Sequence, residues 1–87
     1  MPEQGKYIGK IVHYFSNLGV AVIKVEEGDL KIGDKIRIIG GQETNFEQSV
    51  DSMQVDRKDV STAKAGDEIG MKVSQKVRDD YRVYKIV

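Results

Sequence analysis

The chain has 87 residues, fourteen Lys and Arg against fourteen Asp and Glu, and no cysteine. That length allows one domain and not two, since a single core typically takes about 100 to 150 residues, and the missing cysteines exclude disulfides and thiolate metal sites. Zero net charge argues against coating nucleic acid through bulk electrostatics and leaves room only for a local basic patch.

At the start, Met1-Pro2-Glu3-Gln4-Gly5 lacks the charged and apolar regions of a secretory signal. No apolar run approaches the roughly 20 residues that span a bilayer. A cytoplasmic protein without membrane contact is expected, with residues 1–6 as a lead-in and residues 7–87 as one barrel. The first β-rich run is Tyr7 to Phe15 and the second Val20 to Val25, with Asn17-Leu18-Gly19 turning between them. Glu26-Glu27-Gly28-Asp29 and Ile32-Gly33-Asp34 follow as turn sequences. From Lys35 to Ile39 the chain alternates, Ile36 and Ile38 on one face, and Gly40-Gly41 ends that strand.

Phe46 to Asp56 is less regular. Phe46, Gln48 and Val50 share one parity, whereas Met53 and Val55 share the other. One extra residue near Asp51-Ser52 restores a single buried face, so a β-bulge and a break in pairing are expected between Val50 and Met53. Val60 to Lys64 makes a single helical turn at most. Ala65-Gly66-Asp67 turns into the alternating run Glu68 to Val73, and Arg82 to Val87 is the last strand. No internal repeat is evident. Short strands at this spacing, without helices, predict an all-β fold: a small six-stranded, mostly antiparallel Greek-key-type β-barrel. Its predicted core is Ile11, Ala21, Ile23, Ile36, Ile38, Val50, Met53, Ile69 and Met71.

Catalytic patterns are missing. There is no phosphate-cradling G-x-x-x-x-G-K-[ST], so no nucleotide is expected to be bound or hydrolysed by this chain alone. His13 is the only histidine, which rules out a multi-histidine metal site, and it reads as a structural or surface imidazole. Asp79-Asp80 and Glu26-Glu27 are adjacent acids on turns, not a facing pair. The expectation is a non-catalytic binding protein with no cofactor and no metal. Arg57-Lys58 and the series Lys72, Lys76, Arg78 are the basic groupings, each flanked by acids. Phe15 and Phe46 are assigned to the core, leaving Tyr14 and Tyr84 as stacking platforms.

Val25-Glu26-Glu27-Gly28 followed by Leu30-Lys31-Ile32-Gly33-Asp34-Lys35-Ile36 resembles the strand–turn–strand signature of the second, β-barrel domain of elongation factor Tu. Arg57-Lys58 and then Ala65-Gly66-Asp67-Glu68-Ile69-Gly70 are similar to a second segment of that domain, in the same order. The resemblance runs from about Ile8 to Val87. It is strongest to short translation elongation factor-like proteins consisting of this barrel alone, and a related barrel closes collagenase-like peptidases, some of which act in transfer RNA modification. The resemblance implies a contact with transfer RNA, ribosomal RNA or a translation component through Gln54, Arg57, Lys58 and Lys72. Gln54 stands where the family has an acidic residue, and Lys72 where it has an apolar one. The alternative is an adaptor or accessory subunit that docks onto a separately encoded enzyme, a protein partner without nucleic-acid contact.

Overall fold

A computed structural model describes residues 5–41 and 44–86. Every regular element among them is a strand: β1 (Lys6–Phe15), β2 (Val20–Val25), β3 (Asp29–Lys31), β4 (Lys35–Gly40), β5 (Thr44–Ser49), β6 (Met53–Val55), β7 (Lys58–Val60), β8 (Thr62–Lys64), β9 (Glu68–Lys72) and β10 (Arg82–Ile86). The six strands of five residues or more are the six the alternation predicts. The other four strands are three residues long: β6 is the second half of the expected run Phe46 to Asp56, and β3, β7 and β8 lie where turn residues dominate. One of them, β8, stands where the sequence allows a single helical turn at most: its residues pair with β3, Leu30 opposite Ala63, and tertiary pairing overrides a weak local preference.

All pairings are antiparallel. The main sheet runs β5-β4-β10-β1-β2-β9-β6-β7, and β3-β8 forms a separate ribbon. The sheet curls around one apolar core, and all nine predicted core residues are buried, joined by Ile8, Val25, Leu30, Phe46, Ala63, Val77 and Val83. Closure is not by a continuous ladder. Across the seam, the half-buried Gln48 of β5 donates its amide to the Lys72 carbonyl at 2.8 Å and accepts the Ser74 amide at 2.8 Å.

Pairing does break between Val50 and Met53, as the parity switch requires. The break is a corner more than a one-residue bulge: β5 pairs with β4, and β6 pairs with β7 and β9. Val50 turns inward there and bonds both ways with the preceding turn, its amide to the Asp34 carbonyl and its carbonyl from the Gly33 amide, each at 2.8 Å.

A small repeat escaped the sequence reading. Lys31-Ile32-Gly33-Asp34 and Lys64-Ala65-Gly66-Asp67 form the same turn. In each, the Asp amide donates to the Lys carbonyl at 3.0 Å, and the Asp carboxylate caps the Lys amide at 2.8 and 3.0 Å. The third residue sits at φ 94° and 101°, which only glycine adopts freely. The two turns flank the Leu30–Ala63 pair as a pseudo-twofold.

Candidate functional site

The register of β1 decides what the outside of the barrel presents. Its pairing with β2 shifts between Ile11 and His13, making Val12 the extra residue of a bulge. A bulge flips the faces that follow it. Tyr14 therefore turns inward to pack on the core, and Phe15 turns outward, 42% exposed. The sequence reading had these two reversed, because strict alternation carried Phe15 into the core with Ile11. His13 also faces out and is exposed, its ring edge-to-face with Phe15 at 4.3 Å.

Outward residues fall into transverse rows. His13, Val22, Gly70 and Gln54 are register neighbours across β1, β2, β9 and β6. Phe15, Val20 and Lys72 form the next row. Between β2, β9 and the β6–β7 hairpin lies an open depression with Val20, Val22 and Gly70 as its floor. Phe15 and Leu18 form its apolar rim, Leu18 at 62% exposure, and Gln54, Asp56, Arg57 and Glu68 its polar wall.

Of the residues singled out in the sequence, Gln54 and Arg57 line this depression together. The Gln54 amide donates to Asp59 at 3.0 Å across the hairpin. Lys58, the first residue of β7, and Lys72, the last of β9, are exposed and stand outside the lining. Tyr84 is half-buried against Tyr7, centroids 5.7 Å apart at 68°. Phe15, Leu18, Val20 and Val22 were not foreseen as site residues. Their signal was the run Val20 to Val25 itself, which is apolar on both faces where a wetted strand should alternate.

Asp56 and Arg57 form the two-residue loop of the β6–β7 hairpin, at φ 53° and 66°. Two consecutive left-handed residues make a type I′ turn, for which Asn-Gly is the favoured pair. A non-glycine residue in that region costs roughly 1–2 kcal/mol, so Arg57 is held over the depression against a backbone preference. Replacing the pair by Asn-Gly will raise stability by about 1 kcal/mol, read as a higher urea midpoint with unchanged slope.

On the far side of β1 the Tyr7 hydroxyl donates to Glu26 at 2.6 Å. Burial, then this bond and the Glu26 charge, push its pKa up to about 12, with the Arg82 guanidinium pulling the other way. Unfolded tyrosines ionise near pH 10, so the folded state holds the proton more tightly. The resulting stability is present below about pH 10 and is lost as pH rises towards 12. Ultraviolet titration will show a late tyrosinate step that disappears in Tyr7→Phe. On β4 and β5, Arg37 bonds Glu47 and holds that carboxyl below its ordinary range.

The sequence model of elongation factor Tu domain 2 matches residues 19–83. A protein described as an uncharacterized protease of Methanocaldococcus jannaschii is 44% identical over 77 residues, covering 88% of this chain and 19% of that protein. A collagenase of Porphyromonas gingivalis is 38% identical over 83 residues, covering 95% and 23%. The chain thus spans about a fifth of the length of these curated relatives. The crystal structure of the C-terminal domain of a Geobacillus thermoleovorans protein assigned to the U32 peptidases superposes with a TM-score of 0.86 at 17% identity, over 94% of this chain and 93% of that one. The barrel expected from the resemblance is there. The relatives carrying it are described as proteases and collagenases, not as stand-alone translation factors.

Proposed function

Since the chain belongs to the elongation factor Tu domain 2 family, we propose that it is a non-catalytic binding module, acting as an accessory unit to a U32 peptidase-type protein. Its ligand lies in the depression beside Gln54 and Arg57 and is RNA or a component of translation or transfer RNA modification. One observation carries this reading. Gly70 sits mid-strand, where glycine weakens a sheet. Its φ is not positive, and an added Cβ would meet only Val20 Cγ1 at an ordinary 3.7 Å. Nothing within the barrel requires the missing side chain, so the room above Gly70 serves a group arriving from outside.

Arg57 supplies the cation in that lining, and Lys58 and Lys72 are exposed at the ends of β7 and β9. Three phosphate contacts on single-stranded RNA contribute about −2 to the slope of log affinity against log salt, at about −0.7 each. Arg57→Gly with Lys58→Ala removes most of that contribution and leaves the fold intact. Gly70→Val, which fills the floor, will weaken binding without lowering the urea midpoint. Unchanged RNA binding in both variants would refute the reading.

A second reading has its own support. The depression pairs one cation with two acids, Asp56 and Glu68, and its rim is apolar. That composition suits a protein segment, and an accessory domain gripping a separately encoded enzyme would bind with little salt dependence. A pull-down from native lysate with and without ribonuclease separates the two: a captured protein that survives ribonuclease and is lost in Gly70→Val supports docking.

A further inference from the structure

A row of charge on the outer surface forms no ion pair among the described residues. Lys10 on β1 lies in register with Arg82 on β10 and with Lys24 on β2. Three cations therefore stand side by side on three neighbouring strands, at a strand spacing of about 4.8 Å. Lys24 and Arg82 are exposed and Lys10 is half-buried. Among the described residues, the ion pairs engage Lys35, Arg37 and Lys85, and none of these three. Glu68, opposite Lys24 on β9, ends the row without closing an ion pair. Like charges directly opposite each other destabilise a sheet, and opposite charges stabilise it. The same sheet uses the favourable arrangement between β4 and β5, where Arg37 faces Glu47. At Lys10 it carries two unfavourable pairings instead.

The neighbouring rows give that charge a context. On one side lies the Tyr7–Tyr84 pair. On the other lies the row of His13, Val22, Gly70 and Gln54, which runs into the depression. An aromatic pair, a line of cations and an apolar hollow thus follow one another across the outside of the barrel.

We propose that the Arg82–Lys10–Lys24 row is the backbone track of a single-stranded RNA, whose unpaired bases reach the depression on one side and the Tyr7–Tyr84 pair on the other. This rests on the RNA reading above and moves the main phosphate contact away from Lys58 and Lys72. Closely spaced cations suit a polyanion with regularly spaced phosphates, and flanking aromatic and apolar faces suit bases, which stack without regard to sequence.

The test uses the whole chain and a fluorescently labelled single-stranded RNA oligonucleotide of mixed sequence, titrated from about 50 to 200 mM salt. With six cations engaged, the log–log slope of the parent will be near −4, at about −0.7 per contact. Lys10→Ala/Lys24→Ala/Arg82→Ala will reduce it to about −2, with a roughly hundredfold loss of affinity at 0.1 M salt that vanishes towards 1 M. Lys10→Glu will weaken binding while its melting temperature stays level or rises, because it turns two like-charge pairs into opposite ones; a merely structural lysine would move both downwards. If the triple variant binds as the parent does while Arg57→Gly/Lys58→Ala loses affinity, the track is overturned and the RNA reading stands. If the parent binds no RNA, both fall. Tighter binding of polyglutamate than of RNA carrying equal charge would also overturn the track, in favour of an acidic protein.

Discussion

Replacing Gly9 by alanine will bring the barrel close to unfolding. Gly9 is buried in β1, paired with Val25 on one side and Val83 on the other, between the two register shifts of that strand. A Cβ there would lie inside the van der Waals envelope of the Lys24 carbonyl oxygen and 3.2 Å from the Val25 Cα. Both atoms are backbone of β2, so relief requires parting the β1–β2 ladder and not merely turning a side chain. Overpacking typically costs about 1–3 kcal/mol where side chains can yield, and here about 3 kcal/mol or more is expected. At roughly 0.05–0.15 kcal/mol per residue the whole domain is worth only about 4–13 kcal/mol. Urea unfolding followed by circular dichroism will show a midpoint shifted far down or a chain unfolded in water. Gly70→Ala is the control: the same substitution on an open face should cost less than about 0.5 kcal/mol. Equal losses at the two glycines would show that the approach of β1 to β2 is looser than this.

Leu30→Ala will have the other large effect. Leu30 is fully buried on a strand of three residues whose ladder partner is the equally short β8, with Ala63 opposite. The ribbon has little backbone pairing of its own, and beside Leu30 it buries only the small Ala63 in the core. Truncating a buried leucine costs about 2–5 kcal/mol, more where the walls cannot collapse, and a facing alanine cannot fill the space. About 3 kcal/mol is expected, measured as the drop in unfolding free energy. Leu30→Met keeps the volume and should cost less than about 1.5 kcal/mol. If both substitutions cost the same, the ribbon is held by its turns and not by Leu30.

Most of the fold could be read from residue order because its signals are local. Alternation placed Ile36, Ile38, Ile69 and Met71 inside, and the parity switch located the corner after Val50. What escaped were events that depend on the partner strand. Val12 has no property that marks it as a bulge; the shift exists only in its register with β2, and it exchanged the faces of Tyr14 and Phe15. The short strands β3, β7 and β8 share this origin, since Thr62–Lys64 is held extended by its pairing with β3. The site was half legible for the same reason. Gln54 and Arg57, which line the depression, lie close in sequence, whereas its floor comes from β2 and β9, which the fold brings beside them. The Arg82–Lys10–Lys24 row joins positions scattered along the chain and has no sequence signature at all.

Among the described residues the side-chain amide of Gln48 bridges the seam, which makes the cylinder a scroll with one loose margin. The Ser74 amide it holds belongs to no ladder, so its proton will exchange with deuterium whenever the margin lifts, well ahead of those between β1 and β2. That margin is also where Lys72 ends β9, one row from the Gly70 floor. A ligand seated there would be gripped by a wall able to relax, and slowing of the Ser74 proton would report its arrival without any label on the ligand.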